Sequence, residues 1–404
     1  MLDFYKAFDQ LLAQVSQRQT EVIEMPLADC FGHYLAHEVQ VEYDSPQFDN
    51  SAMDGYALSL HDSDTYTIVA RIAAGDKASP VQLQPGQACR IFTGAPTPAG
   101  CDTVIMQEHT EVSGTELRCL KPIKADQNIR RQAEDLKRGD MLLPKGMYIN
   151  AGVIGLAASQ GYTQLPVHRK LRVSVFSSGN ELVDATKLEG RLPEGHIFDS
   201  NRYQTVALLK NLACEVVEQG CLPDNLEITK ARLQEAASKS ALVITSGGVS
   251  VGEEDHLKNA LEQLGQLTHW KLLLKPGKPF AWGEIGNTYV MMLPGNPVAS
   301  FVTFSVLVKP AIQRILGRED LGGAVQTLGA LVAKTTFARN KPQERREFLR
   351  AHMGLDEQGE LVVTIMARQG SHMLSAAAAA NCLVEFEPET TIAVGDKVRV
   401  YPLS

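Results

Sequence analysis

The chain has no surplus of positive charge. Its 39 lysines and arginines face 47 aspartates and glutamates, a formal net charge of −8. A general nucleic-acid binder needs a basic footprint, so no nucleic-acid partner is expected; a local basic pocket for a small anion remains compatible. Paired cysteines are also missing. The seven present (Cys30, Cys89, Cys101, Cys119, Cys214, Cys221 and Cys382) are odd in number, scattered and without a C-x-x-C pair. That suits neither a disulfide framework nor a zinc site and points to reduced thiols in the cytoplasm. Of the ten histidines only His33 and His37 stand at H-x-x-x-H spacing, and no histidine-held metal is expected. No G-x-x-x-x-G-K-[ST] loop occurs, against a P-loop reading, and the one G-x-S-x-G match, Gly248–Gly252, lies within a longer glycine-rich turn. No apolar run approaches the ~18 residues of a membrane span, and the first residues lack a signal pattern, so no membrane partner is expected.

What is present is organised around Leu242-Val243-Ile244-Thr245-Ser246-Gly247-Gly248-Val249-Ser250-Val251-Gly252-Glu253-Glu254-Asp255. This reads as a buried strand, a glycine-rich turn and the start of a helix, with Leu257, Ala260, Leu261 and Leu264 on one helical face. Backbone N–H groups left open at such a turn suit an oxyanion, although a plain tight turn has the same composition. A length of 404 residues implies about two to four domains. An amphipathic helix opens the chain through Phe4, Phe8, Leu11, Leu12 and Val15. Short β-like runs follow over residues 41–137, and Asn150 is placed to cap a helix suited to pack on the first one. Alternating strands and helices from Leu171 imply a mostly parallel, doubly wound sheet, with Lys271–Leu274 as one strand and a long helix from Pro297 to about Leu316. From Gly322 onward only short β-like runs remain, an all-β terminal domain.

Ligands of such sheets bind beyond the carboxyl ends of the strands. Those ends carry Ser178-Gly179-Asn180-Glu181, Pro223-Asp224, the Ser246–Asp255 turn, Lys275-Pro276-Gly277-Lys278-Pro279 and Pro294-Gly295-Asn296-Pro297. Ser246, Gly247, Gly248 and Ser250 with Lys275 and Lys278 are equipment for phosphates, and Glu181, Asp224 and Asp255 for a divalent cation such as Mg²⁺. Each has an ordinary alternative: a surface acid at Glu181, a helix cap at Asp224, solvated turn lysines at Lys275 and Lys278.

Five motifs in order, F-D-N-S-A-M-D-G-Y-A (Phe48–Ala57), F-T-G-A-P (Phe92–Pro96), S-G-G-V-S-V-G-E-E-D (Ser246–Asp255), K-P-G-K-P (Lys275–Pro279) and L-P-G-N-P-V (Leu293–Val298), resemble the MoeA family of molybdopterin molybdenumtransferases, bacterial relatives of the gephyrin E domain. The resemblance spans essentially the whole chain. It implies a multidomain α/β and β protein: a helical linking domain (1–40 and 138–168), a β-rich domain (41–137), a central doubly wound molybdopterin-binding α/β domain (169–320) and a C-terminal β-barrel-like domain (321–404). It implies a homodimer that inserts molybdate into adenylylated molybdopterin and releases AMP with Mg²⁺, its site shared between the α/β domain of one subunit and the β-rich domain of the other. Expected partners are a molybdopterin adenylyltransferase and downstream cofactor-modifying or acceptor proteins. The rival readings are an adenylyltransferase acting one step earlier and a non-catalytic scaffold of the same fold.

Position by position, the resemblance implies functional roles for Asp54 and Thr93, for Glu181, Asp224 and Asp255, for Lys271 and Lys275, and for Pro294 and Pro297. Arg345 and Ser371 are expected to orient molybdate, a sensible pairing of guanidinium and hydroxyl with a tetrahedral oxyanion. The chain departs from the pattern at Asn180 (commonly Asp), at Ala133 (commonly Gly) and over Ala376–Ala380, a run usually richer in Ser and Arg.

Overall fold

The computed structural model describes residues 2–76, 81–248, 256–319 and 322–403. The chain forms two compact units, Met1–His37 with Lys145–Ile154 and Gln164–Ser404, and Glu38–Pro144 with Gly155–Thr163.

In the larger unit the central sheet runs in the order Cys214–Leu222, Leu171–Ser178, Leu242–Ser246, Thr288–Leu293, Ala281–Ile285, Gln266–Trp270. The first four strands are parallel and the last two antiparallel. Leu242–Ser246 and Thr288–Leu293 are buried along their whole length, as strands covered on both faces must be. Ala281–Ile285 and Thr288–Leu293 form a hairpin that turns on Gly286 at φ +59°. The expected strand Lys271–Leu274 does not form. Lys271 sits at φ +74°, a left-handed conformation no strand accommodates, and the strands nearby are Gln266–Trp270 and Leu274–Lys275.

The opening helix Phe4–Val15 is capped by Asp3, which accepts from Tyr5 N at 2.9 Å. Its buried face packs on Lys309–Ile315 and the α/β core rather than on Ala151–Ser159, the helix that Asn150 does cap. Pro297–Thr303, a π turn over Phe304–Val308 and Lys309–Ile315 form one helical rod. Pro310 lacks the N–H an α-helix needs, and the wider turn before it absorbs the defect. By length and composition this rod could cross a membrane, but 72% of its apolar window is buried in the protein, so it is a core helix.

The C-terminal strands close on themselves. Arg346–Leu355, Leu361–Ile365, Leu331–Thr335, Lys397–Pro402 and Cys382–Phe386 pair in that order, and the last returns to the first. Closure leaves no bare edge and encloses Ala333, Ala351, Val363, Val384 and Val400. Leu274–Lys275 adds to Arg346–Leu355 from outside. The region is not all β: Ala324–Thr327 and Leu374–Ala379 are short helices, and alanines at 376 and 377 are buried against their neighbours.

The smaller unit holds a six-stranded sheet in the order Thr103–Met106, Gly55–Leu58, Gln87–Ile91, Thr65–Ile72, Glu116–Cys119, Thr110–Ser113. Alternate residues build two cores, Ala57, Cys89 and Val104 on one face and Leu58, Ala88 and Ile105 on the other. A Cβ on Gly55 would stand 1.8 Å from the Ile105 carbonyl, so the glycine of the M-D-G-Y motif is a packing requirement.

Candidate active site

The central sheet has its topological switch between Leu171–Ser178 and Leu242–Ser246, because the chain leaves the first toward Cys214–Leu222 on one side and the second toward Thr288–Leu293 on the other. Ligands of doubly wound sheets bind beyond the carboxyl ends at such a switch. A cavity of about 830 Å³ opens there. Ser178, Gly179 and Glu181 line it from one strand end, Asp224 from the next, and Ser246, Gly247 and Gly248 from the third. Lys271 and Lys278 enter from the loop before the hairpin, and Gly295, Asn296 and Pro297 from the last strand end.

Glycine lets these loops close on one another. Gly247 stands at φ +88°, and a Cβ there would lie 2.4 Å from the Ser178 carbonyl. Gly295 comes within ordinary contact of it, its virtual Cβ 3.5 Å from the Gly247 Cα. Backbone thus replaces side chain along the cavity floor, as an anion cradle requires.

Asp224 is not a helix cap. The helix Leu226–Lys239 is capped by Asn225, whose Oδ1 accepts from Ile228 N at 3.0 Å. Asp224 instead exchanges bonds with Asn180: its Oδ2 accepts from Asn180 N, and Asn180 Oδ1 accepts from Asp224 N, each at 3.2 Å. The amide at 180 therefore fills a structural place without a second negative charge. Glu181 has no ion-pair partner among the described residues. Two carboxylates of the expected cation set thus face one cavity with oxygens to spare, which fits a hard cation such as Mg²⁺. Asp255 and Ser250 lie outside the described residues, and among the described residues no three ligating side chains come together.

Other expected residues fall elsewhere. Lys275 leaves the cavity, pairing with Glu347 at 2.7 Å and Gln343 at 3.2 Å, because its strand belongs to the barrel side. Pro294 precedes the lining residues. Arg345 donates to the Leu274 carbonyl at 3.3 Å, and the Ser371 carbonyl accepts from Val298 N at 3.0 Å. In the smaller unit Asp54 and Thr93 are brought into direct contact. Thr93 donates its N–H and its hydroxyl to Asp54 Oδ1, both at 2.8 Å. These two bonds, the backbone one first, with Arg90 adding charge, hold the exposed Asp54 carboxyl below its usual pKa.

Four features escaped the reading of strand ends. Asp199 takes bonds from Ser177 Oγ at 2.6 Å and Arg202 Nε at 3.0 Å, and Arg202 also reaches Asp184 and Glu218, both at 2.8 Å. Burial opposes the Arg202 charge, but its carboxylate partners outweigh burial and raise its pKa. Asn201 donates to the Gly295 carbonyl at 2.7 Å and lines the cavity with a buried, unpartnered Oδ1. The exposed ring of Phe198 flanks it. Finally, Arg350 is fully buried with Nε and Nη1 unpartnered, its Nη2 3.4 Å from the Gly370 carbonyl, next to Ser371.

Residues 2–161 match the family description "MoeA N-terminal region (domain I and II)", 174–314 "Probable molybdopterin binding domain" and 332–403 "MoeA C-terminal region (domain IV)". A Haemophilus influenzae relative named "Molybdopterin molybdenumtransferase" is 39% identical over all of this chain and 99% of its own. The chain belongs to the MoeA family. Another MoeA relative, "Molybdopterin molybdenumtransferase 2" of Mycobacterium tuberculosis, is 32% identical over 96% of each chain. The solved "molybdopterin biosynthesis moeA protein" of Pyrococcus horikoshii superposes over the full length of both chains at a TM-score of 0.83 and 26% identity.

Proposed function

We propose that this MoeA-family chain inserts molybdate into adenylylated molybdopterin and releases AMP. The observation that carries this reading is the cavity at the switch point, with a glycine turn, two lysines and two carboxylates converging on one volume. Lys271, Lys278 and the N–H groups of the turn hold the phosphates. Glu181 and Asp224, with Asp255, would hold Mg²⁺, which would supply charge neutralisation to a phosphoanhydride. Asn201 offers Oδ1 to a donor on the pterin or adenine, and Phe198 offers a face for stacking. Asp54, kept ionised by Thr93, acts from the smaller unit of a partner subunit in a homodimer. The guanidinium beside molybdate is that of Arg350 rather than Arg345, supported by its two donors unpartnered among the described residues and by its Nη2 at 3.4 Å from the carbonyl of Gly370, the residue before Ser371. Bringing both reactants together would make proximity a main source of rate. Seven unpaired cysteines support a cytoplasmic location, where an adenylyltransferase supplies the pterin and acceptor proteins receive the product.

The test is AMP release from adenylylated molybdopterin, with and without molybdate and Mg²⁺, for wild type and Asp224→Asn. Release that needs both additions and is lost in the folded variant supports the reading. A folded, pterin-binding wild type that releases no AMP overturns it.

A further inference from the structure

A second cavity, of about 510 Å³, lies far from the strand-end loops, where the helical rod meets the end of the C-terminal barrel. Its walls are mostly apolar, with Leu212, Phe304, Val306 and Leu383 among them. Two cations, Lys309 and Arg318, also line it. Among the described residues Arg318 bonds neutral acceptors alone, Gln313 Oε1 at 2.7 Å and the Thr327 carbonyl at 2.9 Å. Lys309, half-buried, has no hydrogen-bond or ion-pair partner among the described residues. The nearby carboxylate of Glu319 is engaged by Lys145 and Arg314, and that of Glu385 accepts from the Tyr401 hydroxyl at 2.6 Å.

A charge withdrawn from water without a partner costs several kcal/mol at order of magnitude, and proteins pair such groups or expose them. Here two like charges share one apolar recess. Burial first and the Arg318 charge second depress the Lys309 pKa. No described residue offsets this, whereas an anion entering the recess would.

We propose that this cavity is a binding site for a small organic oxyanion, a carboxylate or phosphate monoester on an apolar body, with the anion between Lys309 and Arg318. The planar guanidinium and the ammonium supply directional and point-charge recognition, and the volume is that of an ordinary small-molecule site. Both parts of the ligand are needed: the anion for the two cations, the apolar body for the walls.

Calorimetric titration of the full-length protein tests this with octanoate and phenyl phosphate as probes, and with 1-octanol and inorganic phosphate as controls. Expected are one saturable site per chain for at least one probe and at least about tenfold weaker binding of both controls, since a charge-assisted hydrogen bond contributes about 1.5–3 kcal/mol. Lys309→Met loses probe affinity by about the same factor, keeps AMP release and raises the melting temperature of the ligand-free protein. Ser305→Trp, which fills the recess, loses the probe through the other wall. The proposal is overturned by no saturable binding in wild type, by equal binding of octanol and octanoate, or by probe affinity unchanged in both variants. A lower melting temperature with probe binding intact in Lys309→Met also overturns it, by making the lysine structural.

Discussion

Thr93 places two donors on one oxygen of Asp54, its backbone N–H and its hydroxyl both 2.8 Å away. Asp54 is thereby held as a carboxylate. A lowered folded pKa contributes stability above the ordinary carboxylate value, and that contribution is lost as pH falls through the lowered one. Thr93→Val keeps the backbone bond and removes the other. The Asp54 pKa, followed by NMR titration, should rise toward the ordinary value, and Asp54→Asn should lower AMP release by on the order of 10²-fold. An unmoved pKa in Thr93→Val would remove the hydroxyl from the account.

Arg345 and Arg350 are separable by experiment. Arg350→Lys should raise the molybdate concentration for half-maximal AMP release at least about tenfold, with pterin affinity unchanged, because the ammonium lacks the planar fork. Arg345→Ala, which loses one long bond to the Leu274 carbonyl, should change it less than about twofold. The reverse ranking returns the role to Arg345.

Ala133 stands at φ +58°, where an alanine is strained and a glycine is not. Its N–H bonds the Pro46 carbonyl at 3.0 Å, so the conformation is held in place. Ala133→Gly should therefore raise stability by about 0.5–1 kcal/mol, the relief of strain exceeding the added unfolded-state entropy. Urea denaturation reads this directly, and a loss of stability would show the strain to be absent.

His33 and His168 are both buried and in series. His33 Nδ1 lies 3.1 Å from the His168 carbonyl oxygen, and His168 Nδ1 lies 2.8 Å from that of Thr20. His168 Nε2 has no partner among the described residues, and Gly317 packs against its ring, so a second proton finds no acceptor there. Burial lowers both pKa values, with Lys170 adding to the effect on His33 and Lys145 and His37 on His168. Stability from these groups is full above the ordinary histidine value and is lost as pH falls through the depressed ones. The melting temperature should therefore fall between about pH 7 and about pH 5, and the fall should be shallower in His168→Phe. An equal slope in both proteins would show that another group titrates.

The strand-end cluster was legible because glycines, lysines and acids there interrupt apolar strands, and Glu181, Asp224 and the Ser246 turn do line one cavity. Asn201 was not, since it begins a helix and reaches the cavity only through the return of the chain. Arg350 was hidden inside Phe348-Leu349-Arg350-Ala351, where a strand pattern gives no sign of a guanidinium buried without a carboxylate. Barrel closure was equally illegible, because it rests on pairing residues more than thirty apart in sequence, such as Glu347 with Phe386. Lys275 misled because a lysine in a phosphate-like loop looks the same whether its ammonium meets a ligand or Glu347.

The loop that carries Lys271 and Lys278 into the cavity is, at its middle, sewn to the barrel: Leu274 and Lys275 pair with Arg346 and Glu347. The barrel is therefore a tensioner for the two cavity-lining lysines. A domain exchange that imports a foreign C-terminal barrel must bring residues matching Leu274–Lys275 with it, or the two lysines will come adrift while every cavity residue is still in the sequence.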